Sequence, residues 1–248
     1  MSIKAVTGFV VLFGIYQLAE SAIYYQNNIP LFLGLMALVP CVAYTMARLQ
    51  GRDGLRETGL APGRGGAGRL AIGLGLGLVV YFSSFALSLA LGLEQVIAVP
   101  PAAAVLKQAA IFAAGVFLPS LAEDIVTRAY IYAHWPPKYS STAFIIFSAM
   151  VYVLNHVHKL TNGPAILVYL LVTGISLAIP LVVTRSLWYT LGVHWACNIV
   201  YRITTDVAPT KTIGSGSFTS LTLLTLVVAL SIPLHWYIAD KSCKRHTG

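Results

Sequence analysis

"GPAILVYLLVTGISLAIPLVVT", residues 163–184, runs for twenty-two positions without a charged side chain. As a helix at about 1.5 Å per residue it would be roughly 33 Å long, against about 30 Å for the hydrocarbon core of a bilayer. It has no polar face to turn to water, so it reads as a membrane span. Comparable windows lie on both sides of it, separated by short polar or Gly/Pro-bearing breaks. Spans are predicted at 5–25, 29–47, 70–93, 106–133, 141–160, 163–184, 186–204 and 218–239. The composition agrees: 57% of the 248 residues are hydrophobic and only 10% charged, with mean hydropathy +0.78, outside the range of water-soluble domains. An open sheet cannot satisfy its backbone in lipid. The expected fold is therefore all-α, a polytopic membrane protein with about eight transmembrane helices in one bundle. No loop has room for a soluble domain, and residues 1–248 read as one domain.

The first span has one basic residue before it, Lys4, and is too long for a signal-peptide core, although "LAESA" resembles a weak cleavage site. With the N-terminus in the cytoplasm, that side collects Lys4, Arg48, Arg52, Arg56, Arg64, Arg69, Lys138, Arg185, Lys241, Lys244 and Arg245. The other side has only Lys107, Lys159, Arg202 and Lys211. The positive-inside rule thus puts both termini in the cytoplasm. The net charge of +8 is accounted for by this asymmetry, above all in the connector at 48–69, which reads as lying on lipid headgroups; no nucleic-acid partner is indicated. Cys41, Cys197 and Cys243 have no paired spacing, so neither a disulfide framework nor a CxxC metal site is expected. The glycines of "IGLGLGLVV" do not make a phosphate loop, because no strand precedes them and the spacing is wrong. Gly73 and Gly77 instead have the GxxxG spacing of close helix packing. Pro119 and Pro180 are expected to kink their helices.

The residues that do not belong in lipid are in "LAEDIVTRAYIY", 121–132. A charged side chain at mid-span costs about 2.5–3.5 kcal/mol, so Glu123, Asp124 and Arg128 would together cost roughly 8–10 kcal/mol if ionised and unpaired. Asp124 and Arg128, four apart, share a helical face and can pair; Glu123 lies about 100° round from Asp124 and is left as the free carboxylate. Two further predicted helices carry polar pairs at the same spacing: Tyr152 and His156 in "YVLNH", His194 and Asn198 in "HWACN". Counted from the cytoplasmic helix ends, Glu123 lies about 15 Å deep, His156 about 22 Å, His194 about 12 Å and Asn198 about 18 Å. One layer of the membrane therefore receives a carboxylate, two imidazoles and an amide, a set that marks function rather than packing. Taken singly, each of the two histidines is more often structural. His158 points elsewhere, towards the outer interface. Glu20 reads as an interfacial or packing residue, Cys197 as a small apolar filler, and His134, His235 and His246 as interfacial.

These three motifs resemble those of the CPBP family of intramembrane proteases, also called the CAAX-processing or Abi family, which includes the Rce1-type prenyl-protein endopeptidases. The family pattern is EExxxR, then FxxxH, then HxxxN, each on its own transmembrane helix. Here they stand as "EDIVTR", "YVLNH" and "HWACN", within about 120–200 of a motif core at about 106–204. Asp124 replaces the second Glu and still supplies a carboxylate for Arg128; Tyr152 replaces Phe and keeps the ring. The resemblance implies an integral enzyme of a bacterial or archaeal cell membrane, acting on a membrane-associated protein or peptide. It assigns Glu123 and His156 to activating water, and His194 and Asn198 to polarising the carbonyl and holding the oxyanion. Asp124, Arg128 and Tyr152 would support them, with no cofactor. Two alternatives use the same residues. Two imidazoles and a carboxylate are a recognised catalytic zinc set, although no HExxH run is present, and intramembrane carboxylates and histidines also build the proton relays of transporters or stand in non-proteolytic scaffolds.

Overall fold

The computed structural model describes residues 2–61, 65–213 and 218–244. Arg64, Arg245 and His246 lie outside the described residues. Nine helices carry the architecture among those described: α1 Ile3–Gln26, α2 Ile29–Leu49, the short α3 Gly54–Glu57, α4 Gly66–Ala90, α5 Ala102–Ala133, α6 Ser141–Asn155, α7 Pro164–Thr184, α8 Leu187–Arg202 and α9 Ser220–Lys244. Six of them (α1, α2, α4, α5, α7 and α9) are long and apolar enough to cross a membrane. The two predicted spans that fall short, α6 and α8, are those that carry the histidine motifs. α8 is shielded by neighbouring helices, which relaxes the demand for length and unbroken apolarity, whereas α6 exposes one apolar face through Ile146, Phe147, Met150 and Leu154.

Local chemistry sets the boundaries. Asn27 ends α1 in the left-handed conformation (φ 48°), a geometry that Asn tolerates, and its N–H closes on the Ile23 carbonyl. Its neighbour Asn28 starts α2 by accepting the Leu31 N–H at 3.0 Å, with Pro30 in the first turn. Two adjacent asparagines thereby reverse the chain between antiparallel helices.

The described part of the 48–69 connector is bound to the protein itself. Asp53 caps α3, and Arg52 Nη1 bridges Glu57 Oε2 at 2.8 Å and the Ala133 carbonyl at 2.9 Å, at the end of α5. Gly59 (φ 68°) accepts the Leu187 N–H at 2.9 Å, tying the connector to the start of α8; a Cβ there would crowd that same nitrogen.

The closest helix pair is α4 with α8. A Cβ on Gly73 would overlap the Tyr189 carbonyl oxygen, and one on Gly77 would lie 2.7 Å from the Ala196 Cβ, whereas Gly75 has nothing within 4 Å. The GxxxG reading is therefore right about which glycines face the neighbour. The largest buried apolar cluster joins Leu12 and Tyr16 of α1, Met36 and Val39 of α2, Ile125 and Tyr130 of α5, and Phe144 of α6. Val10, Val79 and Leu230, on outward faces, are exposed, as lipid-facing residues should be.

Three features differ from the sequence expectation. The helix predicted over 141–160 stops at Asn155, and His156 takes the cap position (φ −91°, ψ 46°), followed by a 3₁₀ turn Val157–Lys159. A two-stranded antiparallel ribbon, β1 Glu94–Val96 with β2 Thr210–Thr212 in the register Glu94↔Thr212, joins the loops after α4 and α8. Strands of three residues are too short for alternation to reveal. Finally, α5 widens into a π-helical turn at Ile125–Ala129, and α8 runs on into another at Ile203–Val207. Pro119 and Pro180 both lie within helices that continue past them.

Candidate active site

The π turn of α5 follows directly on Glu123 and Asp124 and contains Arg128. Thr127 donates its hydroxyl to the Glu123 carbonyl at 2.7 Å, and Ser148 of α6 donates to the Thr127 carbonyl at 2.9 Å, so backbone groups disturbed by the wide turn are satisfied by side chains. The turn points Arg128 inward with no exposure at all. It pairs with Asp124 Oδ1, and Nη1 also donates to Thr127 Oγ1 at 2.9 Å. Its guanidinium carbon lies 4.6 Å from the centre of the Tyr152 ring. The aromatic position of the second motif thus serves through its face, as a cation–π partner.

Asp124 does more than the i,i+4 spacing suggested. The same Oδ1 faces His194 Nδ1 at 3.0 Å, which ties the first motif on α5 to the third on α8. His194 Nε2 then lies 3.4 Å from Glu123 Oε2. On the other side, His156 Nε2 lies 3.6 Å from Glu123 Oε1. His156, standing at the end of α6 rather than within it, returns Nδ1 to the Tyr152 carbonyl at 2.8 Å. The i,i+4 relation of Tyr152 and His156 therefore survives as a side-chain cap on the last turn.

These contacts fix the tautomers. A backbone carbonyl can only accept, so His156 Nδ1 carries a hydrogen, and the Asp124 carboxylate asks the same of His194 Nδ1. Both imidazoles consequently turn Nε2 towards opposite oxygens of one carboxylate. The two Nε2 atoms and the two carboxylate oxygens face a common space; each Nε2 offers a lone pair in the neutral ring and a second N–H in the imidazolium.

Asn198, one turn beyond His194, donates Nδ2 to Ser120 Oγ at 2.9 Å, and Ser120 in turn donates to the Val116 carbonyl at 2.7 Å. All seven residues singled out from the sequence lie in or beside this cluster. Spacing gave no sign of two others. Asn155 of α6, 3% exposed, donates Nδ2 to Glu123 Oε1 at 3.1 Å, and Gln17 of α1 donates Nε2 to the Asn155 backbone oxygen at 3.0 Å and to its Oδ1 at 3.1 Å.

Glu123, Asn155, His156 and Asn198 form the floor of a cavity of ≈ 630 Å³. Its walls are apolar, from Ile23, Phe32, Ile111 and Phe112 among others, and its rim carries Asn27, Lys159 and Arg202 at the ends of α1, α6 and α8. Glu20, expected as an interfacial or packing residue, lines this cavity. His235, expected at an interface, is 1% exposed and lies 3.3 Å from the Tyr189 hydroxyl, because α9 packs against α7 and α4 and brings that face within reach of Tyr189. His158 stacks on Tyr24 with ring centres 4.6 Å apart, away from the site, and His134 bonds the Tyr130 carbonyl at the end of α5. Cys197 turns to a separate cavity of ≈ 230 Å³ beside Tyr81 and Tyr169. Among the described residues, no three His, Cys, Asp or Glu side chains form a metal-binding group.

Residues 105–200 match the family model described as type II CAAX prenyl endopeptidase Rce1-like. No curated protein and no solved structure matches the chain.

Proposed function

We propose a glutamate-activated hydrolysis of a peptide bond within the membrane, a reading supported by the match of residues 105–200 to the Rce1-like CAAX prenyl endopeptidase family model. The observation that carries this reading is the Glu123 carboxylate held between two Nε2 atoms, at 3.4 and 3.6 Å, on the floor of a cavity large enough for a peptide segment. A water between these acceptors gives a proton to Glu123, assisted by His156, as its oxygen attacks the carbonyl carbon. His194 in its doubly protonated form and Asn198, which lines the same cavity, hold the charge that develops on the carbonyl oxygen. Collapse breaks the C–N bond, and the proton taken from water goes to the leaving amine. Asp124 keeps His194 in register, while Arg128 balances Asp124.

The cellular substrate is reached by difference. Membranes of the host carrying wild-type or Glu123→Gln protein are compared for newly formed N-termini. The expected result is a set of termini absent from Glu123→Gln and from His156→Ala, with both variants inserted at normal levels. Retained cleavage in either variant would refute the assignment.

One observation favours a second reading. Both histidines commit Nδ1 to an acceptor and leave Nε2 free, the form that zinc ligands take. Metal content and activity in chelator separate the two: full activity without bound metal removes zinc.

For the setting, we infer both termini on the cytoplasmic side from the distribution of lysine and arginine. The cavity rim, at the opposite ends of α1, α6 and α8, then opens away from the cytoplasm.

A further inference from the structure

We propose that Gln17 of α1 and Asn155 of α6 are a positioning pair that sets the orientation of the Glu123 carboxylate; the proposal rests on Glu123 being the base. The hydrogen-bond chain is determined chemically from end to end. Gln17 faces the Asn155 backbone oxygen at 3.0 Å, and because that oxygen only accepts, the Gln17 atom there must be Nε2. The Asn155 side-chain atom that the same Nε2 meets at 3.1 Å must then be Oδ1, which turns Nδ2 towards Glu123 Oε1. That oxygen is also the one facing His156 Nε2. Asn155 therefore pins Oε1 on the His156 side and leaves Oε2 for His194. Polarity flows one way along the chain, and its source is an amide on a helix outside the matched residues 105–200.

Gln17→Glu keeps the shape and reverses this polarity. The carboxylate it introduces has no hydrogen to give, so Asn155 must turn its amide round and present Oδ1 to Glu123. Gln17→Met keeps the volume and leaves Asn155 unrestrained. Losing a hydrogen bond to a charged group corresponds to roughly a 10- to 100-fold fall in rate. The assay uses purified full-length protein in nanodiscs and a synthetic peptide spanning a Glu123-dependent cleavage site found in host membranes. Gln17→Glu and Asn155→Ala are expected to lower kcat by about 10- to 100-fold, with KM within about twofold of wild type. Gln17→Met should fall between them and wild type, and Gln17→Glu combined with Asn155→Ala should lose no more than Asn155→Ala alone. A purely structural role would instead lower the thermal midpoint without separating kcat from KM. Wild-type kcat in Gln17→Glu, with Glu123→Gln inactive, overturns the positioning pair alone. The absence of any Glu123-dependent cleavage overturns both this proposal and the reading it rests on.

Discussion

Replace Arg128 by Met, which fits the same space without charge. Asp124, with no exposure, then loses its cation and keeps only the His194 contact at 3.0 Å. Removing one partner of a buried ion pair costs about 3–5 kcal/mol, because the remaining charge is left uncompensated. At 1.4 kcal/mol per factor of ten, the ratio of folded to unfolded protein falls by roughly 10²- to 10³-fold or more. For a chain of this size the thermal midpoint should drop by about 6–20 °C, at 2–4 °C per kcal/mol. Thermal unfolding of detergent-purified protein, followed by tryptophan fluorescence, reads this directly. The double variant Asp124→Asn with Arg128→Met removes both charges and keeps an oxygen for His194 Nδ1, so it should regain most of the lost stability. An Arg128→Met midpoint within about 2 °C of wild type would refute the reasoning, and so would a double variant less stable than the single one.

The glycine contact makes a second stability prediction: Gly73→Val drives a side chain into the Tyr189 carbonyl and should destabilise by at least the 1–3 kcal/mol typical of overpacking, while Gly75→Ala, facing open space, should stay within about 0.5 kcal/mol of wild type. Orientation is tested with the native cysteines replaced by Ser: an impermeant maleimide should label Asn27→Cys in intact cells and Arg56→Cys only in inverted vesicles, the reverse pattern overturning the assignment. Metal analysis of the purified protein should show less than stoichiometric zinc and activity unaffected by chelator; stoichiometric metal with chelator-sensitive cleavage would replace the water-activating role of Glu123 by that of a ligand.

The parts of this site that were legible in the sequence are those carried by local spacing on a regular helix. Asp124 and Arg128 four apart, and His194 and Asn198 four apart, declare a shared face because 3.6-residue periodicity needs no tertiary information. His156 was placed in the right layer for a partly mistaken reason. No Gly or Pro interrupts "VLNHVHKL", and its polar Asn155, His156, His158 and Lys159 announce an end to the helix without fixing it at Asn155. The π turn at Ile125–Ala129 is silent, being made of ordinary residues whose widened geometry is stabilised by Ser148 from another helix. Gln17 could not have been found at all: it lies 138 positions from Asn155, and one amide in an apolar span carries no spacing signal. The shortness of α8 was hidden for a related reason, since burial among neighbours is a property of the bundle.

The contact between α4 and α8 also bears on how this protein could adapt to different substrates. Where two backbones meet with no side chain between them, neither helix can slide or tilt without collision, so the wall that presents His194 has no slack. The opposite wall, from α1 and α2, is joined to its surroundings by side chains such as Tyr16 and Phe32, which can exchange rotamers or be substituted singly. We expect variation in what this scaffold accepts to accumulate in those two helices, leaving the chemistry on a chassis that cannot drift.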